Sequence, residues 1–261
     1  MGIRPTPRRA LLLLAGLLAC GEEGGGTPPP DPPPDPPFWG TIFIAPDLIT
    51  DADPTALQEV TPAGQGARTM FDRRVEGWVT VDAYLFDATF QDGLALEVQV
   101  NPEFETGEAA LEMARRFAEA IGRLPTALRA GVETVWIHRG VELFGGGNDN
   151  ILIHTGQADQ YEADGILEET LVHEAVHSSL DSEHATAPGW RAAQNADNWF
   201  ISAYARDHPT REDLAESFVP YLAVRARAER VAPALRELIL QVMPARVQYL
   251  DGLSLDLHPL Q

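Results

Sequence analysis

The chain predicts an α+β fold, with strand patterns early and helical patterns late rather than the regular alternation of a doubly wound sheet. Three observations carry this. Leu94, Leu96, Val98 and Val100 alternate with Ala95, Glu97, Gln99 and Asn101, the period of a half-buried strand. Trp78 to Phe90 is rich in β-branched and aromatic residues, and Gln91-Asp92-Gly93 joins the two as a hairpin turn. Beyond Gly165 apolar residues recur at helical spacing in one segment after another.

Taken in order, Gly40 to Pro46 reads as a short strand, and Asp47 to Arg74 as loop, with Asp, Pro, Thr and Gly scattered through it. After the hairpin the period changes. Ala110, Leu111, Ala114, Phe117, Ala118 and Ile121 share one face of a helix over Thr106 to Gly122, which Leu124-Pro125 ends. Thr134 to His138 and Ile151 to His154 read as short strands, with Gly145-Gly146-Gly147 a loose loop between them. Helices follow over Gly165 to Leu180, Trp190 to Tyr204 and Arg211 to about Arg230. The last has a capping box from Thr210 and Asp213 and a kink at Pro220, and Ala232 to Val242 is a final helix. Residues 38–104 form a β-rich segment, either an extension of the following sheet or a small unit of its own, and 105–261 form the domain that carries the chemistry.

The first 37 residues read as export and tether rather than fold. Arg4, Arg8 and Arg9 precede an apolar run, Ala10 to Ala19, which is too short to span a bilayer. Leu17-Leu18-Ala19-Cys20 resembles the lipobox of bacterial lipoproteins. That resemblance implies a signal peptide over residues 1–19, a lipid on Cys20, and export to a bacterial membrane, on its periplasmic or cell-surface side, the outer membrane in a Gram-negative cell. An ordinary signal with an incidental cysteine is the competing reading. Residues 20–37 are Gly- and Pro-rich, a spacer that cannot bury a core. Cys20 is the only cysteine, so any metal must be held by His and carboxylate. The formal charge of −20 argues against nucleic acid as a partner.

The chemistry lies in His173-Glu174-Ala175-Val176-His177. Histidines at i and i+4 share one helix face, where both rings can reach one ion. Glu174 borders the same place without having to ligate, and can take a proton from a metal-bound water. Two surface histidines on an amphipathic helix would be the bland explanation. The apolar flanks Leu171, Val172, Ala175, Val176 and Leu180 bury this helix, and buried imidazoles need partners. Glu212 and Glu216, again at i and i+4, offer one carboxylate to the ion and another to the back of a ligating histidine. A solvated acidic patch at a helix N-terminus is the alternative for that pair. His184, seven after His177, is a rival third ligand. His154 ends the strand before the active helix and is a candidate to line the cleft.

H-E-x-x-H followed by a later helix bearing E-x-x-x-E resembles the gluzincin metallopeptidases. Tyr204-Ala205-Arg206 ahead of Glu212-Asp213-Leu214-Ala215-Glu216 is similar to the catalytic domain of the anthrax lethal factor family. The resemblance spans about residues 151–218. It implies a zincin-like fold, with a small twisted mixed sheet whose edge strand lies beside an active-site helix, then a mostly helical C-terminal half. It further implies one Zn2+ held by His173, His177 and Glu212, Glu174 as general base, Tyr204 as oxyanion donor, Glu216 behind a ligand, and a peptide or protein substrate. A zinc-containing surface lipoprotein that binds a partner without cutting is the alternative function.

Overall fold

A computed structural model describes residues 35–44, 47–197 and 199–261. The signal segment, Cys20 and most of the spacer lie outside the described residues. The described residues form one compact unit around a mixed sheet of six strands.

The strands are β1 (Leu57–Asp72), β2 (Gly77–Phe90), β3 (Ala95–Val100), β4 (Thr134–His138), β5 (Gly145–Gly147) and β6 (Asn150–His154), in the spatial order β1-β2-β3-β4-β6-β5. β1, β2 and β3 form an antiparallel meander. β3, β4 and β6 run parallel, and β5 folds back antiparallel on β6. The β-rich first segment is therefore continuous with the sheet that carries the later strands, because β3 pairs directly with β4. β4 and β6 are mainly apolar, and β6 is buried at every position, as a parallel strand covered on both faces must be.

Three expectations fail here. The stretch expected as loop contains β1, whose Pro62, Gly64 and Gly66 hide its strand character. It lies at a sheet edge, where proline and irregular register are tolerated, and its register slips between Pro62 and Gly64. The described part of the Gly40 to Pro46 segment forms no strand: the Ile42 and Ile44 amides donate to the buried carboxylates of Glu216 and Glu169 instead. Gly145-Gly146-Gly147 is the edge strand itself, and Ile151 to His154 lies one strand inside it.

The helices are α1 (Gly107–Gly122), α2 (Thr126–Arg129), α3 (Thr155–Ala163), α4 (Leu167–Ser179), α5 (Asp181–His184), α6 (Pro188–Asp197), α7 (Ala203–Asp207), α8 (Asp213–Arg225), α9 (Pro233–Val242) and α10 (Pro244–Gly252). α1 begins where Thr106 caps the Ala109 amide. The expected single helix over Trp190 to Tyr204 is broken. The Asp197 carboxylate, at the end of α6, accepts from the Ala245 and Arg246 amides, and Ser202 starts α7 by capping Ala205. α8 ends earlier than expected, and Arg227 and Arg230 beyond it turn to Asp53. Pro220 sits within α8 without ending it. The capping box from Thr210 is not formed: Asp213 is buried and binds Arg246 and Gln194. α3 and α10 were not expected from the residue pattern. No described helix is long and apolar enough to cross a membrane.

Candidate metal centre

α4 and α8 pack against each other in the core, and each is buried along most of its length, so polar groups along their contact must satisfy one another. Along that contact His173 and His177 project from one face of α4 toward the residue that opens α8. Their Nε2 atoms are 3.2 Å apart. The Oε2 of Glu212 lies 3.4 Å from His173 Nε2 and 3.2 Å from His177 Nε2. One ligand atom from each residue thus falls within 4.8 Å of the other two, an arrangement that can hold a metal ion.

Each imidazole is backed by a carboxylate on its other nitrogen. His177 Nδ1 is 2.6 Å from Asp181 Oδ2, and His173 Nδ1 is 3.3 Å from Glu216 Oε1. Glu216 is anchored in turn, its Oε2 accepting from the Ile42 amide and the Ser202 hydroxyl. A carboxylate that accepts the Nδ1–H hydrogen bond keeps the proton on Nδ1 and leaves the Nε2 lone pair free to ligate. Asp181 was not singled out in the sequence, although it stands four after His177 and the same i, i+4 rule would have found it.

Charge at the site is strongly biased toward a cation. Burial opposes a charge on His173, but Glu212, Glu216 and Glu174 raise its pKa to about 9. Burial likewise opposes a charge on His177, and Asp181 with Glu212 raises its pKa to about 10. Burial would raise the Glu212 carboxyl, yet the two histidines hold it far below the usual carboxylate range. Two ring nitrogens sharing one buried carboxylate need a positive charge among them. Imidazole with carboxylate is a donor set that suits zinc and other first-row divalent ions.

A cavity of about 700 Å³ opens on this cluster, and Glu174, Tyr204, Arg73, Arg211 and the edge strand β5 line it. Burial raises the Glu174 carboxyl, while His173, His177 and Arg73 pull it back. Burial and the Glu212 carboxylate raise the Tyr204 phenol. β5 lies directly on α4: a Cβ on Gly146 would overlap the Glu174 carbonyl. The Ser178 hydroxyl receives the Gly147 amide at 3.0 Å and donates to Asn150 O at 2.7 Å, pinning the β5–β6 hairpin to α4. The turn residues Asn148 and Asp149 both have positive φ, the signature of a two-residue hairpin.

The other candidates lie elsewhere. His184 Nδ1 faces the Tyr249 hydroxyl at 2.8 Å. His154 is fully buried and stacks on His138 with ring centroids 5.3 Å apart, its Nδ1 3.0 Å from Arg139 O. Arg73 and the Gly145–Gly147 edge were missed as site residues. Comparison with protein-family models, with curated proteins and with solved structures returns no match.

Proposed function

We propose that the protein is an exported, lipid-anchored metallopeptidase that uses one zinc ion on a zincin-like fold. The observation that carries this reading is the convergence of His173, His177 and Glu212 beside Glu174 in a cavity bordered by an edge strand.

His173, His177 and Glu212 would hold the ion, which when bound supplies Lewis-acid polarisation of a carbonyl and acidifies water. Asp181 and Glu216 keep the two rings in the tautomer that ligates. Glu174 accepts the proton of the attacking water and returns it to the leaving amine. Its burial-raised pKa supports that role, because a base nearer neutrality also serves as the later acid. Tyr204, held protonated by burial and by Glu212, donates its hydroxyl to the developing oxyanion. Such a donor is worth about 3–4 kcal/mol of transition-state stabilisation. The free edge of β5 receives an extended peptide by strand addition. The lipid anchor rests on Leu17-Leu18-Ala19-Cys20, and the acidic charge disfavours nucleic acid as a partner.

Elemental analysis of the purified protein tests the metal, with one zinc per chain expected in the wild type and none in His177→Ala. Assay against a broad peptide library tests the chemistry, with Glu174→Gln expected to keep zinc and lose hydrolysis. A zinc-loaded wild type that cuts nothing would favour the non-cutting lipoprotein, and a chain that takes up no metal would end both readings.

A further inference from the structure

Arg73 occupies the turn between β1 and β2 and reaches into the cavity that holds Glu174. Its Nη2 donates to Phe144 O at 2.9 Å, just before the edge strand. The same nitrogen lies 2.9 Å from the point a Cβ on Gly145 would occupy, so a glycine there makes room for the guanidinium. Its Nε is buried without a hydrogen-bond partner. Among the described residues no carboxylate lies within ion-pair distance of Arg73, whereas its neighbour Arg74 is paired with both Asp72 and Glu103. Arg211, the other arginine lining the cavity, is already committed to Glu212 Oε1 at 2.8 Å. Arg73 is therefore a partly buried cation with donors to spare, set beside the edge on which an extended chain would lie.

The register of that edge places the cation relative to the chemistry. Gly147 and Asn150 close a two-residue hairpin, and hydrogen-bonded pairs alternate along an antiparallel ladder. Gly146, the exposed middle residue, then turns its amide and carbonyl away from β6, while its Cα rests against the backbone carbonyl of Glu174. Gly145, against which Arg73 rests, is one residue away, about 3.3 Å along an extended chain. The surrounding protein, at a formal charge of −20, repels anions in general, so an anionic group enters this cleft only where a local cation receives it. With Nη2 giving one hydrogen to Phe144 O and Nε buried, Nη1 and the second Nη2 hydrogen remain as an end-on pair, which matches a carboxylate in two parallel hydrogen bonds.

The geometry points to Arg73 as the residue that recognises a substrate carboxylate, either an acidic side chain or the peptide's own C-terminus, within a residue or two of the bond over Glu174. This rests on the peptidase reading, so binding and cleavage are measured separately. Three peptides of one sequence serve as probes: an internal Glu with blocked ends, Gln in its place with blocked ends, and that Gln peptide with a free C-terminal carboxylate. Calorimetry on zinc-loaded Glu174→Gln is expected to show one carboxylate peptide binding about tenfold or more tighter than the neutral one. Which carboxylate peptide gains identifies the source of the charge. Adding Arg73→Gln should close the gap, and Arg73→Lys, which keeps the charge but not the fork, should retain part of it and carries the test if Arg73→Gln does not fold. Equal binding of all three peptides, or a gap that survives in Arg73→Gln, overturns the assignment. Cleavage of neutral peptides by the wild type without preference removes the role of Arg73 and leaves the peptidase. An Arg73-dependent binding gap with no cleavage keeps the subsite and removes the peptidase.

Discussion

The molecule holds two pairs of histidines, both wholly or largely buried, and they are built in opposite ways. His173 and His177 meet edge to face, with ring centroids 4.9 Å apart and 76° between planes, and both Nε2 atoms turn to the same carboxylate. His138 and His154, at the ends of the neighbouring parallel strands β4 and β6, stack at 24°, and both their Nε2 atoms are buried without a hydrogen-bond partner. Acidic side chains surround the first pair and raise both pKa values. Burial dominates at His138 and lowers its pKa to about 4. Burial alone therefore does not make a histidine pair a cation site. What separates the two is a carboxylate placed where both rings point, with further carboxylates behind them.

Experiments can break that contrast or sharpen it. The largest effect is expected at Glu174, since the general base proposed there would contribute about 10²–10⁴-fold. Glu174→Gln should lose activity on that scale while elemental analysis still finds the metal, and near-normal turnover would remove its role.

Next comes the pH response of the other pair. An unfolded histidine titrates near its ordinary 6.5, and His138 in the fold near 4. Between those values the unfolded chain binds the proton more readily, so this group withdraws stability as pH falls from about 6.5 toward 4. Asp72, Arg74, Glu103, Asn101 and His154 face it, and of these Asp72 and Glu103 favour its charge without overcoming burial. Elsewhere in the core, burial raises Glu169 to about 7, with the opposite slope: a stabilisation lost as pH rises toward 7. The prediction is therefore a difference. Urea melts at pH 7 and pH 5 should show His138→Gln losing about 2 kcal/mol less than the wild type over that interval. Parallel losses would mean that His138 is charged in the fold.

A smaller effect is expected behind the candidate metal ligands. Asp181→Asn should weaken metal affinity about 10–100-fold in a chelator competition, without changing the stoichiometry. The smallest effect is none: His154→Leu should leave metal content unchanged, and a loss of metal there would show that the two pairs are coupled.

How much of the site was legible depended on how far apart its parts lie in the chain. H-E-x-x-H could be read because both histidines lie on one helix turn, and the apolar residues around them mark that turn as buried. Glu212 and Glu216 were legible as a second i, i+4 pair, though only packing of α8 on α4 brings Glu212 to the histidines. Asp181 obeyed the same local rule and was overlooked. The edge strand was misread because three glycines carry no side-chain pattern; the space they leave is required by the Glu174 carbonyl and by Arg73, neither of which is local. β1 was misread for a related reason: its order comes from pairing with β2, not from its own alternation.

By itself the sequence determined the features that short-range periodicity dictates: the α+β character, the buried helix with two histidines on one face, and a His-and-carboxylate donor set in a chain with a single cysteine. Tertiary structure alone decided which carboxylate faces the pair, which strand forms the cleft edge, and that an arginine from a distant hairpin turn lies beside it. Helical phase is set by neighbours four residues apart. Edges and cavities are set by segments as far apart as Thr41 and Glu212, and nothing in either segment names the other.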